Sequence, residues 1–193
     1  MAGRRAAAGL ALAAIGLTAG GCGLGGSTKT VTVTHTVTTT LTETSKSVTA
    51  ARPCLGTDVD GTFTVVPGSA GAGQISYLLT LKNASQNRCY VRGLPKATLL
   101  GATGSPLPTH VSGSDGTSGQ RVVLEPGASA VATARFSPDV ASPGDSQGGD
   151  CQPVAHTLEV TPSGAGPTEV PIRPATSVCQ QGTLKFEPYA YAG

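Results

Sequence analysis

The sequence contains no tryptophan and only 4% aromatic residues, three phenylalanines and four tyrosines. Aromatic side chains carry much of the buried area of an ordinary core, so the core here must be mostly aliphatic. Charge is also scarce, at 12% of residues against about 25% in an average domain. One methionine, three histidines and no Cys-x-x-Cys pair leave little material for a metal or redox carrier. A positive excess is missing too, although the formal charge is +2. Arg4, Arg5, Lys29 and Lys46 precede residue 52, and Arg52 to Gly193 carries nine Lys/Arg against ten Asp/Glu, or −1. Such a body has no general attraction for nucleic acid.

Glycine (27) and proline (14) are abundant. They favour short strands and turns over helices. The 193 residues leave room for one domain after processing.

Residues 1–22 have the form of an export leader. Arg4 and Arg5 make a basic start, and Ala6 to Leu17 is an apolar run of 12 residues. That is short for a bilayer span, which takes about 20. "TAGGC", Thr18 to Cys22, then sets small residues directly before a cysteine, as in a bacterial lipobox. Ala19 stands where leucine or valine is commonest in such signals. The resemblance implies that Cys22 is diacylated and becomes the first mature residue. "GRRAAA" matches a twin-arginine export signal poorly. The expected location is extracytoplasmic, on the outer face of the cell membrane, held by a lipid on Cys22.

Residues 23–52 are biased toward threonine. "TKTVTVTHTVTTTLTET" alternates threonine with valine, and eleven threonines fall between Thr28 and Thr49. As a strand its odd face would include His35 and Thr39, a weak apolar face. The stretch reads as an extended tether, kept stiff by β-branching. The competing reading is a strand added to a sheet edge.

Residues 53–193 form the folded domain. Period-two apolar patterns recur: Ile75, Tyr77, Leu79 and Leu81 in "ISYLLTL", Phe63 and Val65 in "TFTVV", and Val122 and Leu124 in "RVVL". Leu158 and Val160 follow in "HTLEV", and Leu184 and Phe186 in "TLKFE". Such alternation marks half-buried strands. Turn signals separate them, among them "SGSDGTSG", "SPGDSQGGD" and "PSGAGP". "ASAVATARF" follows "EPG" and is also expected to be a strand. Pro171 is expected to confine its strand to a sheet edge. The fold class is all-β: an antiparallel, immunoglobulin-like sandwich of about 7–9 strands, with a disordered leader and stalk.

Setting Cys22 aside leaves Cys54, Cys89, Cys151 and Cys179. Four cysteines allow three pairings, and Cys54–Cys89 with Cys151–Cys179 is the simplest. Neither His110 nor His156 stands at ligand spacing to a cysteine, and no metal or cofactor is expected.

The order of elements also resembles a known family. "YLLTLKNASQNRCYVRGLPKATLL" is followed by "VVLEPGASAVATARF", a Cys151 segment with "HTLEVTP", and "CQQGTLKFEP". This order resembles the actinobacterial secreted-protein domain of unknown function numbered 4232, common in envelope lipoproteins. The resemblance spans roughly Cys54 to Pro188. Leu94 sits where that family often has an aromatic residue, and Phe136 where tryptophan is frequent. The resemblance implies an envelope location and a disulfide-bonded sandwich. It implies no activity and no catalytic residues.

Three features could carry chemistry. "GDSQG", Gly144 to Gly148, has the G-x-S-x-G form of a nucleophile elbow. An elbow needs a strand before the serine and a helix after it, whereas Pro143 and the glycines here point to a loop. A secreted serine hydrolase using Ser146 is the alternative function, with His110 or His156 as base. "DVDG", Asp58 to Gly61, resembles a fragment of a calcium loop but reads as a turn with Asx capping. Asp139, Asp145 and Asp150 crowd one loop without a ligand pattern. Lys82, Arg88, Arg92 and Lys96 form the basic cluster of the body. With Tyr90 they could face an acidic wall polymer or a lipid headgroup, or simply solvate a sheet edge. The expected function is a monomeric, non-enzymatic binding or structural module anchored in the cell envelope. Its partners would be the membrane and a cell-wall polymer or envelope protein, not nucleic acid.

Overall fold

The computed structural model describes residues 50–113, 119–148 and 150–193. Residues 1–49, with the expected leader, Cys22 and all but the last three residues of the expected tether, lie outside them.

Alternation of buried and exposed residues makes strands of nearly every segment that carries it. Twelve strands occur among the described residues: β1 (Arg52–Pro53), β2 (Val59–Val65), β3 (Ile75–Asn83), β4 (Cys89–Arg92), β5 (Lys96–Leu100) and β6 (His110–Gly113), then β7 (Arg121–Leu124), β8 (Ser129–Phe136), β9 (Ala155–Thr161), β10 (Thr168–Thr176), β11 (Thr183–Phe186) and β12 (Ala190–Tyr191). One sheet runs β5-β9-β10-β2-β3-β8-β11-β6, with β12 on β8, and a second is β1-β4-β7. The long sheet folds where β10 meets β2, joined there by only Ile172↔Phe63 and Arg173↔Thr64. Inward residues of all its parts and of the small sheet form one core, from Phe63 and Leu79 to Val91, Leu124, Leu158 and Phe186. The result is an all-β sandwich that approaches a closed barrel.

Five of the seven aromatics, Phe63, Tyr77, Phe136, Phe186 and Tyr189, belong to that core. Ring centroids lie 5.2 Å apart for Phe63–Tyr77, 5.2 Å for Tyr77–Phe136 and 6.2 Å for Phe63–Phe186. The partner strand makes room for them. Across β3 and β8, Tyr77 faces Ala134, Leu79 faces Ala132, and Leu81 faces Ala130. All six are buried. Large residues on one strand against alanine on the next let the layers interlock at native density.

The cysteines pair locally, Cys54 with Cys89 and Cys151 with Cys179, at sequence separations of 35 and 28. By chain entropy each contributes about 3.5–4 kcal/mol. The first holds β1 against β4, and the second ties the β8–β9 loop to the end of β10.

Several expectations need correction. Three pairings are parallel rather than antiparallel: β1–β4, β10–β2 and β11–β6. Period two shows that a segment is a strand but says nothing of its partner's direction. Pro171 does not put β10 at an edge, because β10 lies between β9 and β2. The proline sits where the β9 register breaks and just before the β2 pairing begins, a place that needs no ladder donor. "DVDG" is not one turn. Asp58 ends a 3-10 turn, Gly56–Asp58, and Asp60 and Gly61 are already in β2. Arg52, placed at the end of the tether, is the first residue of β1.

Candidate functional site

Strand β4 ends at Arg92, and β5 begins four residues later at Lys96. Gly93 makes the turn at φ 71°, a left-handed conformation open to glycine at no steric cost. Arg92 and Lys96 therefore flank one short connection. The Arg92 amide donates to the Ser163 hydroxyl at 2.7 Å, which brings the β9–β10 loop alongside. That loop is held from behind: the Gly164 amide donates to the Cys54 carbonyl at 2.8 Å. A Cβ on Gly164 would lie 2.5 Å from that same oxygen, so the close approach needs glycine. From the C-terminal side, the Tyr189 amide donates to the Gly93 carbonyl at 3.0 Å.

Between these segments lies a cleft of about 170 Å³, lined by Arg92, Leu94, Lys96, Thr161, Pro162, Ser163 and Tyr189. Among the described residues, its lining holds two cations and no carboxylate. The ion pairs among the described residues are Arg52–Asp58 and Arg88–Glu125, so neither Arg92 nor Lys96 is paired there. Arg92 also stands directly opposite Arg121 across the β4–β7 ladder. The Arg121 guanidinium lies 3.8 Å from the centre of the Tyr90 ring, a cation–π contact. Tyr189 is 4% exposed, and its hydroxyl has no hydrogen-bond partner among the described residues. Burial pushes its ionisation well above the ordinary tyrosine range.

The family model described as "Domain of unknown function (DUF4232)" matches residues 54–190. The chain belongs to this family. No curated protein and no solved structure matches it. Of the two departures read from the sequence, Leu94 lines the cleft of the DUF4232 domain, and Phe136 is buried in its core.

The loop of the DUF4232 domain that carries "GDSQG" is organised by its aspartate. The Asp145 carboxylate accepts from the Ser142 amide (2.7 Å) and hydroxyl (3.0 Å), the Gln152 side-chain amide (2.7 Å), and the Gln180 and Gln181 amides (2.7 and 2.8 Å). Gln180 and Gln181 have φ of 56° and 57°, so their successive N–H groups converge on one anion. The Ser142 amide first, then Gln152, Gln181 and Gln180, hold this carboxyl far below the usual carboxylate range. Asp145 thus braces the turn beside Cys179. Ser146 is exposed, and its hydroxyl donates to the Gly148 carbonyl at 3.1 Å. Neither His110 nor His156 hydrogen-bonds to it among the described residues. Both histidines are exposed, at the starts of β6 and β9. His156 is thus a solvent-exposed strand-end residue. Asp139 and Asp150 are exposed as well.

The basic cluster separates in space. Lys82 is on β3, which is flanked by β2 and β8 and is no edge. Arg88 pairs with Glu125 at 2.9 Å. Arg92 and Lys96 alone share the cleft. The Asp58 carboxylate of "DVDG" is committed to Arg52 (2.6 and 2.8 Å) and the Leu55 amide (2.7 Å). Asp145, Arg121 and Tyr189 carry no sequence motif for these roles. What makes them notable is partners remote in the chain.

Proposed function

We propose that this protein is a cell-envelope lipoprotein, with a diacylglyceryl group on Cys22 and a non-enzymatic binding or structural domain at the outer face of the membrane. The observation that carries this reading is the cysteine count. Of five cysteines, four are joined in two disulfides. Such bonds belong to an oxidising, extracytoplasmic compartment. Cys22 is left without a partner in the chain, directly after a leader of lipobox form. Two acyl chains on one residue suffice for stable anchoring, whereas one chain gives only reversible binding. The threonine-rich residues 23–52 then act as the tether between lipid and domain. The hydrolase reading of Ser146 has less support, because the neighbouring Asp145 carboxylate is engaged by backbone and glutamine donors rather than by a histidine.

The test is the mass of the mature N-terminus together with fractionation of Cys22→Ser. An acylated Cys22, and a Cys22→Ser chain that leaves the membrane fraction, are expected. An unmodified N-terminus at any other residue would end the reading.

A further inference from the structure

We propose that the cleft between Arg92, Lys96 and Tyr189 binds a phosphoryl group. The inference rests on reading the domain as a binding module and is independent of the anchor. The body carries −1 overall, so this basic spot is not part of a generally basic surface. Arg92 and Arg121 face each other directly across two strands, where like charges repel. Arg121 rests on the Tyr90 ring and does not line the cleft, so an anion in the cleft offsets that cost at Arg92. Arg135 and Lys185 are also cross-strand partners, but their depression includes the carboxylate-bearing Glu187. Among the described residues, the polar lining of the Arg92 cleft is the two cations and the hydroxyl-bearing Thr161, Ser163 and Tyr189, beside the apolar Leu94 and Pro162. The buried Tyr189 hydroxyl, without a partner among the described residues, is a second and independent sign. A buried hydroxyl without a partner is unfavourable, and an oxygen-rich ligand in the adjoining cleft would supply one after a small movement.

A phosphoryl group fits this set better than a carboxylate. Arginine and lysine approach from opposite ends of the Gly93 turn, and hydroxyls come from β9, its following loop and the C-terminal segment. A tetrahedral group with several acceptor oxygens and up to two charges can use donors from several directions. At about 170 Å³ the cleft takes a terminal phosphoryl rather than a large ligand. The group could come from a soluble phosphate ester or from a phospholipid headgroup.

The experiment titrates inorganic phosphate into the full chain, made soluble as Cys22→Ser, and follows amide NMR signals. Chloride at matched ionic strength is the reference. Saturable shifts at Gly93, Leu94, Lys96, Ser163 and Tyr189 are expected. Arg92→Gln with Lys96→Gln should weaken binding about tenfold or more, the scale of a lost charged hydrogen bond. Arg135→Gln with Lys185→Gln removes the same charge elsewhere and should leave it unchanged. No saturable shift, equal shifts with chloride, or equal weakening by both double variants would overturn the site. Where the site holds, vesicles of phosphatidylglycerol and of phosphatidylcholine distinguish the source. Competition by phosphatidylglycerol vesicles assigns a headgroup, and no competition assigns a soluble ester. A failed phosphate titration leaves the acylation of Cys22 to its own mass measurement.

Discussion

Asn83 is 1% exposed, yet every polar atom of its side chain has partners. Its amide nitrogen donates to the Asn87 and Leu124 carbonyls at 2.8 and 3.0 Å. Its oxygen accepts from the Ser85 amide and hydroxyl at 3.0 and 2.8 Å. The residue therefore shapes the turn into Cys89 and fastens the end of β3 to the end of β7. Asn83→Ala should cost about 1–3 kcal/mol, because it strands the buried Leu124 carbonyl and removes the bonds that hold the half-buried Ser85 turn. Urea unfolding reads this directly, and a loss under about 0.5 kcal/mol, the scale of an ordinary surface change, would contradict it. Asp145 makes a prediction with a pH signature. Its carboxyl is held below the unfolded value of about 3.9, so its stabilisation is full above that value. It is lost as pH falls through the lower, folded value. The stability gap between the wild type and Asp145→Asn should stay constant from about pH 8 to 5 and shrink below about pH 4. A gap that widens on acidification would refute the assignment. Neither role could be read from the sequence. "GDSQG" looked like an elbow and Asn83 carried no signal of its own, while the partners that matter lie 41 residues away for Asn83 and 35 and 36 away for Asp145.

At the scale of elements, most strands were legible because burial imposes period two on the chain. Tyr77, Leu79 and Leu81 announced β3, and Leu184 and Phe186 announced β11. Pairing was less legible. The parallel union of β6 with β11 joins segments separated by β7 to β10, and nothing in "HVSG" or "TLKF" names the other. Pro171 misled because a proline excludes a ladder donor at one residue, not along the whole strand. The alternation of sizes across β3 and β8 was also hidden, since alanine in "ASAVATARF" looked neutral until its partners were known. It yields a clear test. Ala132 is 2% exposed and faces the fully buried Leu79. Ala132→Leu should overpack this layer and cost about 1–3 kcal/mol. The outward-facing Thr133→Leu on the same strand should change stability far less, and equal losses for the two would argue against the size-matched layer. The second disulfide makes an independent claim on the same scale. Cys151→Ser with Cys179→Ser should cost about 2–5 kcal/mol, measured against reduced and oxidised wild type.

For the whole molecule, the physical boundary of the domain falls slightly before the matched residues 54–190. Arg52 begins β1 and forks onto the buried Asp58, and Cys54 is bonded to Cys89. Among the described residues, the core cluster begins at Cys54. A chain beginning at Ala50 therefore holds every one of these contacts, and one beginning at Leu55 loses the fork, β1 and a disulfide together. The Ala50 chain should unfold within about 2 °C of the chain beginning at residue 23. The Leu55 chain should fall by about 10 °C or more, the shift implied by losing a disulfide worth about 2–5 kcal/mol in a domain of this size. Calorimetry of the three chains under oxidising conditions distinguishes the outcomes. A lower midpoint for the Ala50 chain would give residues 23–49 a part in the folded domain, and the tether reading would then yield to that of an added strand. Equal midpoints for the Ala50 and Leu55 chains would instead move the boundary past Cys54 and strip β1 of its role. Equal midpoints for the Ala50 chain and the chain beginning at residue 23, with a fall for the Leu55 chain, are what the proposed tether requires, since a tether is a segment whose removal costs the fold nothing.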